Sequence, residues 1–465
     1  MSRGKALAKN TGIISLGMFL PRLTGIITLP ILTAYLSKAE FGTFDLINTL
    51  VLLLLPIATL RIETATFRFL IECRENIEES KRIISTMFLF GITVSVIVLV
   101  IFYMIPLELN PVTHLLICAY FLCESMYNLS LQVVRGFSKN VLFSVSAVAN
   151  SVIKMLLIVV MVSGLNIGLN GALIATILAF SVAILVNFVF GSIYKYFSLY
   201  HFSIKKLKSM LMYSWPMVPN SLSFWVMNLS GRVIVTLGLG IEANAVLAVA
   251  TRIPNLFTSV QGSFVFAWQE NASLAVKDKD ADDYYSKMFD HIFRILFGLM
   301  MLLMAISPLL FTVLVRGDYS AAYYQMPFLF GGMFFSAIAS FFGGIYVAHK
   351  RTVNVGVTTL IAACISILIS ASLIMFVGIY AISIATFVSF AFLAIYRMFN
   401  VKKIQKIDYD YKMIVLCLGI LSFMGAMLYV NTLIAHIVSL FIGTLGAIYF
   451  NYELIKSTLK KKRKE

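Results

Sequence analysis

Residues 214–240 read SWPMVPNSLSFWVMNLSGRVIVTLGLG, and a second apolar run, 242–270, follows across a tight turn near residue 241. Each run is long enough to cross a bilayer, whose hydrocarbon core of roughly 30 Å takes about 20 predominantly apolar residues of helix. Yet each carries an arginine, Arg232 in the first and Arg252 in the second. Membrane-crossing helices that hold ionisable side chains are what the fold and the function have to explain.

The rest of the chain has the same character. Of its 465 residues, 60% are hydrophobic and 12% are charged, whereas soluble domains are roughly half apolar and a quarter charged. About 279 apolar residues suffice for about 14 spans of about 20 residues each. Apolar runs broken by polar or Gly/Pro punctuation lie near 11–36, 44–67, 84–106, 114–135, 141–164 and 171–192 in the first part of the chain. Further runs lie near 214–240, 242–270, 289–315, 322–348, 354–376, 380–396, 413–430 and 433–453. The expected fold is therefore an all-α integral membrane protein of about 14 transmembrane helices. The opening MSRGKALAKN and its apolar run resemble a signal peptide, but the run continues to about Leu36 and contains Pro21 and Arg22, so it reads as a retained first span.

The 37 basic residues exceed the 21 acidic ones, which in a soluble chain would suggest a nucleic-acid partner. Here their distribution gives a simpler reason. With the amino terminus in the cytoplasm, alternate loops collect Arg68, Arg74, Lys81 and Arg82, then Lys195, Lys205, Lys206 and Lys208, then Lys350 and Arg351, then Arg397, Lys402, Lys403, Lys406 and Lys412. The tail STLKKKRKE falls on the same side, while only Lys38 and Arg316 fall outside. This bias places both termini in the cytoplasm and assigns the basic tail to an anionic inner leaflet. No nucleic-acid partner is expected. The outer loops, such as LELNP, NIGLN and VGIY, are too short to form a domain.

Spans one to six and seven to twelve form two groups of nearly equal length, each opening with a tight hairpin, TAYLSKAEFGTF and LGLGIEANAVLA. An even number of helices in each keeps the halves parallel, in a pseudo-two-fold arrangement about the membrane normal. The expected organisation is an N-lobe over 1–192, an amphipathic cytoplasmic linker over 193–213, a C-lobe over 214–396, and two extra helices with the basic tail over 397–465.

Five basic residues lie within spans: Arg22, Arg61, Lys154, Arg232 and Arg252. Counted from the turn near 241, Arg232 and Arg252 reach nearly equal depth on adjacent helices at about 1.5 Å per residue. Two guanidinium groups at one level suit an anion, and their planar forks match phosphate oxygens. The alternative is a contact with Glu242 at the outer end. A second pair, Arg22 and Arg61, is placed roughly 15 Å closer to the cytoplasm by the same counting. Arg61 alternatively forms a local ion pair with Glu63 or snorkels. Glu124 and Lys154 flank the turn RGFSKN at similar distances, as a structural ion pair or as a carboxylate that binds a coupling proton while Lys154 tunes it. Asp45, near the outer mouth, reads either as part of a coupling site or as a solvated residue near a helix start.

Trp215 and Trp268 lie at matched distances from the 241 turn, as expected of a cytoplasmic interface belt. Trp225, with Asn220 and Asn228 on the same span, either lines a cavity and meets sugars or packs. Asp408 and Asp410 in KIDYDYK have the acidic spacing of nucleotide-sugar enzymes, but the chain has no Gly-rich phosphate loop to accompany them. Five scattered cysteines and five separated histidines offer no metal-ligand spacing, so no metal site and no cofactor are expected.

The stretch MLMYSWPMVPNSLSFWVMNLSGRVIV, residues 210–235, resembles the seventh-span region of the polysaccharide biosynthesis flippases (Wzx type) of the multidrug, oligosaccharidyl-lipid and polysaccharide exporter superfamily. LSKAEFGTFDL is similar to the family's Glu-aromatic-Gly turn, here Glu40, Phe41 and Gly42. Family members often carry Asp before the arginine matching Arg232; this chain has Gly231. The resemblance implies two six-helix lobes around a basic cavity that opens alternately to either side of the bacterial inner membrane. The implied cargo is an undecaprenyl-diphosphate-linked oligosaccharide bound for O-antigen, lipopolysaccharide, capsule or a related glycan. It further implies a proton or sodium gradient as the driving force, and a polysaccharide polymerase and chain-length machinery as partners beside the lipid-linked substrate and membrane lipids.

Three other functions fit a multi-pass chain. A cation-coupled multidrug exporter should favour acidic cavity residues, whereas basic ones prevail here. A membrane enzyme such as a polysaccharide polymerase should show a large outer loop with Arg or His. A passive scramblase is not separated from a flippase by residues alone.

Overall fold

The computed structural model describes residues 17, 20, 21, 23–104, 110–276, 278 and 280–462. Among them every regular element is helical, and eleven helices are long and apolar enough to cross a membrane. The other three expected spans differ for separate reasons. Most of 11–36 lies outside the described residues or in a shorter apolar helix, Leu23–Tyr35. The run near 114–135 is a continuous helix, Pro111–Gly136, whose sequence includes His114, Glu124 and several hydroxyls. The run near 242–270 is two helices, because Pro254 has no amide hydrogen to give the preceding turn.

The chain divides into two compact units, Met1–Trp225 and Val226–Glu465. In the first, α1 (Leu29–Tyr35) turns at Leu36 into α2 (Lys38–Ala58). The start of α2 is fixed by a reciprocal cap: Ser37 Oγ accepts from the Glu40 amide, and the Glu40 carboxylate accepts from the Ser37 amide at 3.0 Å. The expected span 44–67 is not one helix. It breaks after Ala58, with Leu60 and Arg61 in the left-handed region at φ 47° and 58°, and resumes as α3 (Ile62–Cys73).

Next come α4 (Ile77–Tyr103), α5 (Pro111–Gly136) and α6 (Asn140–Ile158). Asn76 and Asn110 cap the first two of these with their side chains. A π-helical turn, Val159–Gly164, ends α6, and α7 is Gly168–Phe190. The expected linker 193–213 comprises two 3₁₀ turns and α8 (Ile204–Ser214). It packs into the first unit: Ile193 and Met210 join the core of Ile62, Leu70, Ile84, Met87 and Leu129. Lys206 pairs with Glu79, and the His201 ring lies 3.0 Å from Glu78.

α9 (Val218–Leu239) carries the boundary, and α10 (Ile241–Arg252) and α11 (Pro254–Ala275) follow. Gly240, at φ 92°, makes the one-residue turn between α9 and α10, a backbone position that L side chains resist. Then come α12 (Ala281–Leu314), the short α13 (Ser320–Tyr323), α14 (Met326–Ala348), α15 (Thr352–Val377), α16 (Tyr380–Val401), α17 (Tyr411–Val430) and α18 (Leu433–Lys462). The last two thus belong to the second unit.

The core of this unit is aromatic. Trp268 is 1% exposed, stacks on Phe341 at 4.4 Å and donates its indole N–H to the Phe341 carbonyl at 2.8 Å. The expected interface-belt position therefore does not hold for Trp268, whose polar edge is satisfied inside the protein; Trp215 is exposed. Asp410 caps α17 by accepting from the Met413 amide, which gives KIDYDYK a structural use.

Candidate functional site

Two groups of ionisable side chains within the helices bear on the expected site, one in each unit. In the first unit, α2 brings Asp45 and Asn48, α5 brings Tyr120 and Glu124, and α6 brings Lys154. Asp45 is 2% exposed and lies two turns inside α2, because the Ser37 cap starts that helix at Lys38. It is not a solvated residue at a helix start. Tyr120 and Glu124 are one turn apart and so share a face of α5.

The Tyr120 hydroxyl donates to Asn48 Oδ1 and also lies within hydrogen-bond reach of Glu124. Its single proton serves one acceptor at a time. Asn48 is oriented in turn by its amide, which donates to the Phe44 carbonyl at 2.6 Å. Lys154 acts electrostatically on Glu124, and its ammonium lies 5.5 Å from the centre of the Phe44 ring. Glu124 and Lys154 stand on α5 and α6, either side of the turn that joins these helices. Glu124 Oε2 and Asn150 Oδ1 are buried without a hydrogen-bond partner among the described residues. Buried groups of this kind are costly. Glu124 therefore keeps an unused acceptor oxygen within the cluster.

In the second unit, the Gly240 turn sets α9 beside α10, and Arg232 Nη2 donates to Thr251 Oγ1 at 3.3 Å. Thr251 immediately precedes Arg252 in α10. Arg252 occupies the last turn of α10, where carbonyls released by the break at Ile253 also favour a cation. Gly231 sits where α9 closely approaches α16: a Cβ there would lie 2.5 Å from Ile382 Cγ2. An aspartate, the residue expected before this arginine, would not fit without moving that β-branched neighbour.

The remaining expected site residues are placed as follows. Arg61 Nη1 lies 3.3 Å from Glu63 Oε1, and Thr59 Oγ1 donates to the other Glu63 oxygen at 3.0 Å. The depth counted for Arg61 assumed unbroken helix, so it does not hold past Ala58. Arg22 lies outside the described residues. Trp225 is 9% exposed and donates its indole N–H to the Thr49 carbonyl at 2.8 Å. Asn228 is exposed, and Asn220 lies in the first turn of α9.

Sequence reasoning missed Asn48, Tyr120 and Thr251, although the first two stand one turn or less from Asp45 and Glu124. It also misplaced Arg397, which was expected in a cytoplasmic loop. Arg397 is 4% exposed within α16, and its guanidinium donates to Thr358 and Thr359 hydroxyls and to the Ala339 and Val355 carbonyls. The MFNVKK sequence that follows extends the helix beyond the apolar run by which the span was judged.

Span-length helices with buried ionisable groups define a multi-pass membrane protein, and its fold is that of the multidrug and polysaccharide exporter (MOP) transporters. An inward-facing multidrug-resistance MATE transporter matches with TM-score 0.64 at 13% identity, over 84% of this chain and 94% of that one. A Vibrio cholerae MATE transporter variant matches with TM-score 0.60 at 15% identity, over 87% and 98%. A MOP-superfamily transporter from Pyrococcus furiosus, described as having a binding pocket of reverse polarity that suggests a different function, matches with TM-score 0.58 at 15% identity, over 86% and 96%. The chain itself belongs to the polysaccharide biosynthesis protein family, whose model matches residues 7–269. No curated protein sequence matches it.

Proposed function

We propose that this protein is a flippase that moves an undecaprenyl-diphosphate-linked oligosaccharide across the bacterial inner membrane by alternating access, for assembly of a surface polysaccharide. The observation that carries the reading is the hydrogen bond across the Gly240 turn from Arg232, in a span-length helix, to Thr251, the residue before Arg252. Guanidinium groups stay charged at any physiological pH, and a diphosphate offers oxygens that match their donors. Family membership supports a polysaccharide substrate. The fold supports a transport mechanism, and its occurrence in a protein with reversed pocket polarity is consistent with cargo of different charge on one scaffold.

In this mechanism Arg22, Arg61, Arg232 and Arg252 bind the diphosphate during transport, with Arg61 exchanging Glu63 for phosphate. Asn220, Trp225 and Asn228 contribute contacts to the sugars. The Asp45, Glu124 and Lys154 cluster takes up and releases the coupling proton or sodium ion. The testing experiment is complementation of glycan export in cells with Arg22→Ala, Arg232→Ala and Arg252→Ala at matched membrane abundance. Reduced export is expected from each, and undiminished export in all three rejects the reading.

A further inference from the structure

The outer face of α16 has an organisation that neither the family nor the transport reading accounts for. Phe392, Ile395, Tyr396, Phe399, Asn400 and Lys403 line a shallow groove of about 410 Å³. Their spacing of three and four residues puts them on one stripe of helix. The opposite stripe, Leu393, Ala394, Arg397 and Val401, is buried in the second unit. Ile395, Tyr396 and Phe399 are exposed, the last at 56%. Since α16 is long and apolar enough to cross a membrane, the stripe lies against lipid.

The order of chemistry along the stripe selects among lipids. The groove begins with Phe392, Ile395 and Tyr396 and ends with Asn400 and Lys403, at the end of the helix that the basic loop marks as cytoplasmic. An acyl chain fits the first part and a phosphate the second. Asn400 Oδ1 already accepts from the Tyr346 hydroxyl at 2.7 Å, which leaves the amide NH₂ as the group it has to offer. Lys402 is committed elsewhere: its ammonium donates to the Tyr411 hydroxyl at 2.8 Å and sits 4.7 Å from the Tyr409 ring centre. Lys403 is exposed, lines the groove and has no ion pair among the described residues.

The surrounding field has the same sign. Arg397, one turn before Asn400, is buried among neutral acceptors with no carboxylate among its hydrogen-bond partners, so its charge is not cancelled locally. Of the nearby carboxylates, Asp282 accepts from Gln405, and Asp410 caps α17.

We infer that this groove is a binding site for an anionic phospholipid of the inner leaflet, with one acyl chain along Phe392, Ile395, Tyr396 and Phe399 and its phosphate at Asn400 and Lys403. The occupant is complementary in charge and in the order of its apolar and polar parts. It anchors the cytoplasmic end of α16 to the leaflet.

The test is native mass spectrometry of the full chain, released from nanodiscs containing equal phosphatidylglycerol and phosphatidylethanolamine, for wild type, Lys403→Gln and Lys412→Gln. Preferential retention of phosphatidylglycerol is expected in the wild type and in Lys412→Gln. In Lys403→Gln it should fall about fivefold, as expected for loss of one lysine beside an anionic leaflet. Phe399→Ala should lower retention of phosphatidylglycerol without changing that of inorganic phosphate. Equal retention of the two lipids by the wild type, or unchanged selectivity in Lys403→Gln, overturns the inference. So does displacement of the lipid by polyprenyl phosphate at equimolar concentration, which would make the groove part of the substrate path. None of these measurements reads export, so their outcome is independent of the flippase proposal.

Discussion

Arg232 of α9 and Thr251 of α10 are joined across the Gly240 hairpin by a 3.3 Å hydrogen bond from guanidinium to hydroxyl. Threonine is close in shape to valine, so Thr251→Val keeps the packing while removing the acceptor for Arg232 and the hydroxyl's own donation to the Ala248 carbonyl within its helix. Bonds to charged groups contribute roughly 1.5–3 kcal/mol, and loss of this one should lower glycan export about tenfold through disorder of Arg232. Export measured at matched abundance checks this. Thr251→Ser, which keeps the acceptor, should restore most of it.

A tighter constraint acts one residue earlier. A Cβ on Gly231 would meet Ile382 Cγ2 at 2.5 Å, and isoleucine has little χ1 freedom with which to yield. Gly231→Ala should therefore destabilise the second unit by about 1–3 kcal/mol, the usual range for overpacking, despite alanine's better helix propensity. Gly231→Ala combined with Ile382→Val leaves the offending methyl in place and should not recover the loss, whereas Ile382→Ala should. Thermal unfolding in detergent distinguishes these variants.

The same two helices show how much of the molecule could be read without coordinates. Span-length apolarity located the eleven span-length helices found among the described residues, because the bilayer sets a minimum length for each. The helix breaks were less visible. α10 ends at Arg252, with Ile253 capping it just before Pro254, and the missing proline amide was a readable signal. The break at Leu60 and Arg61 has no glycine or proline at its left-handed positions. The close approach at Gly231 and the burial of Arg397 depend on which helix lies opposite, and that information is carried by packing between distant segments. The polar partners Asn48, Tyr120 and Thr251 are ordinary residue types that become informative only once their neighbours are placed.

The buried Arg397 gives a prediction that separates charge from packing. Five guanidinium hydrogen bonds tie α16 to Thr358 and Thr359 and to the Val355 and Ala339 carbonyls. Lysine would keep the buried charge while losing the planar fork that satisfies it. Arg397→Lys should consequently be more destabilising than Arg397→Met, by about 2 kcal/mol, because replacing a buried charge by an apolar side chain is often close to neutral. Melting temperatures of the two variants, compared with wild type in the same detergent, decide the order.

At the start of α2, Glu40 does two things. It closes the cap with Ser37, and its Oε1 accepts from the Leu169 amide at 3.1 Å, tying the first hairpin to the start of α7. Gly168 sits directly against that carboxylate at φ 65°. Gly168→Ala combines a left-handed backbone with a steric conflict, so it should cost at least about 1 kcal/mol. Glu40→Gln keeps an oxygen acceptor and should cost less than Glu40→Ala, as read by thermal unfolding. The Glu-aromatic-Gly turn thereby acquires a structural role at the end of the helices, separate from any contact with cargo.

Glu124 offers the strictest test of the coupling proposal. Its Oε2 is buried without a hydrogen-bond partner among the described residues, Tyr120 supplies a hydroxyl proton shared with Asn48, and Lys154 supplies a positive charge that acts on it. If the carboxyl group exchanges a proton or cation during transport, Glu124→Gln should remove the dependence of export on the ion gradient while leaving substrate binding intact. Tyr120→Phe, which deletes the shared proton but keeps the ring, should reduce the rate less than Glu124→Gln does. A purely structural ion pair predicts a different pattern. Glu124→Gln would then take from Lys154 the carboxylate of the pair and lower stability by up to about 3–5 kcal/mol, and Glu124→Gln with Lys154→Met would recover both stability and gradient-driven export. Flux into vesicles with and without an imposed gradient, measured for the single and double variants, distinguishes the two, because a structural pair can be replaced and a coupling carboxylate cannot.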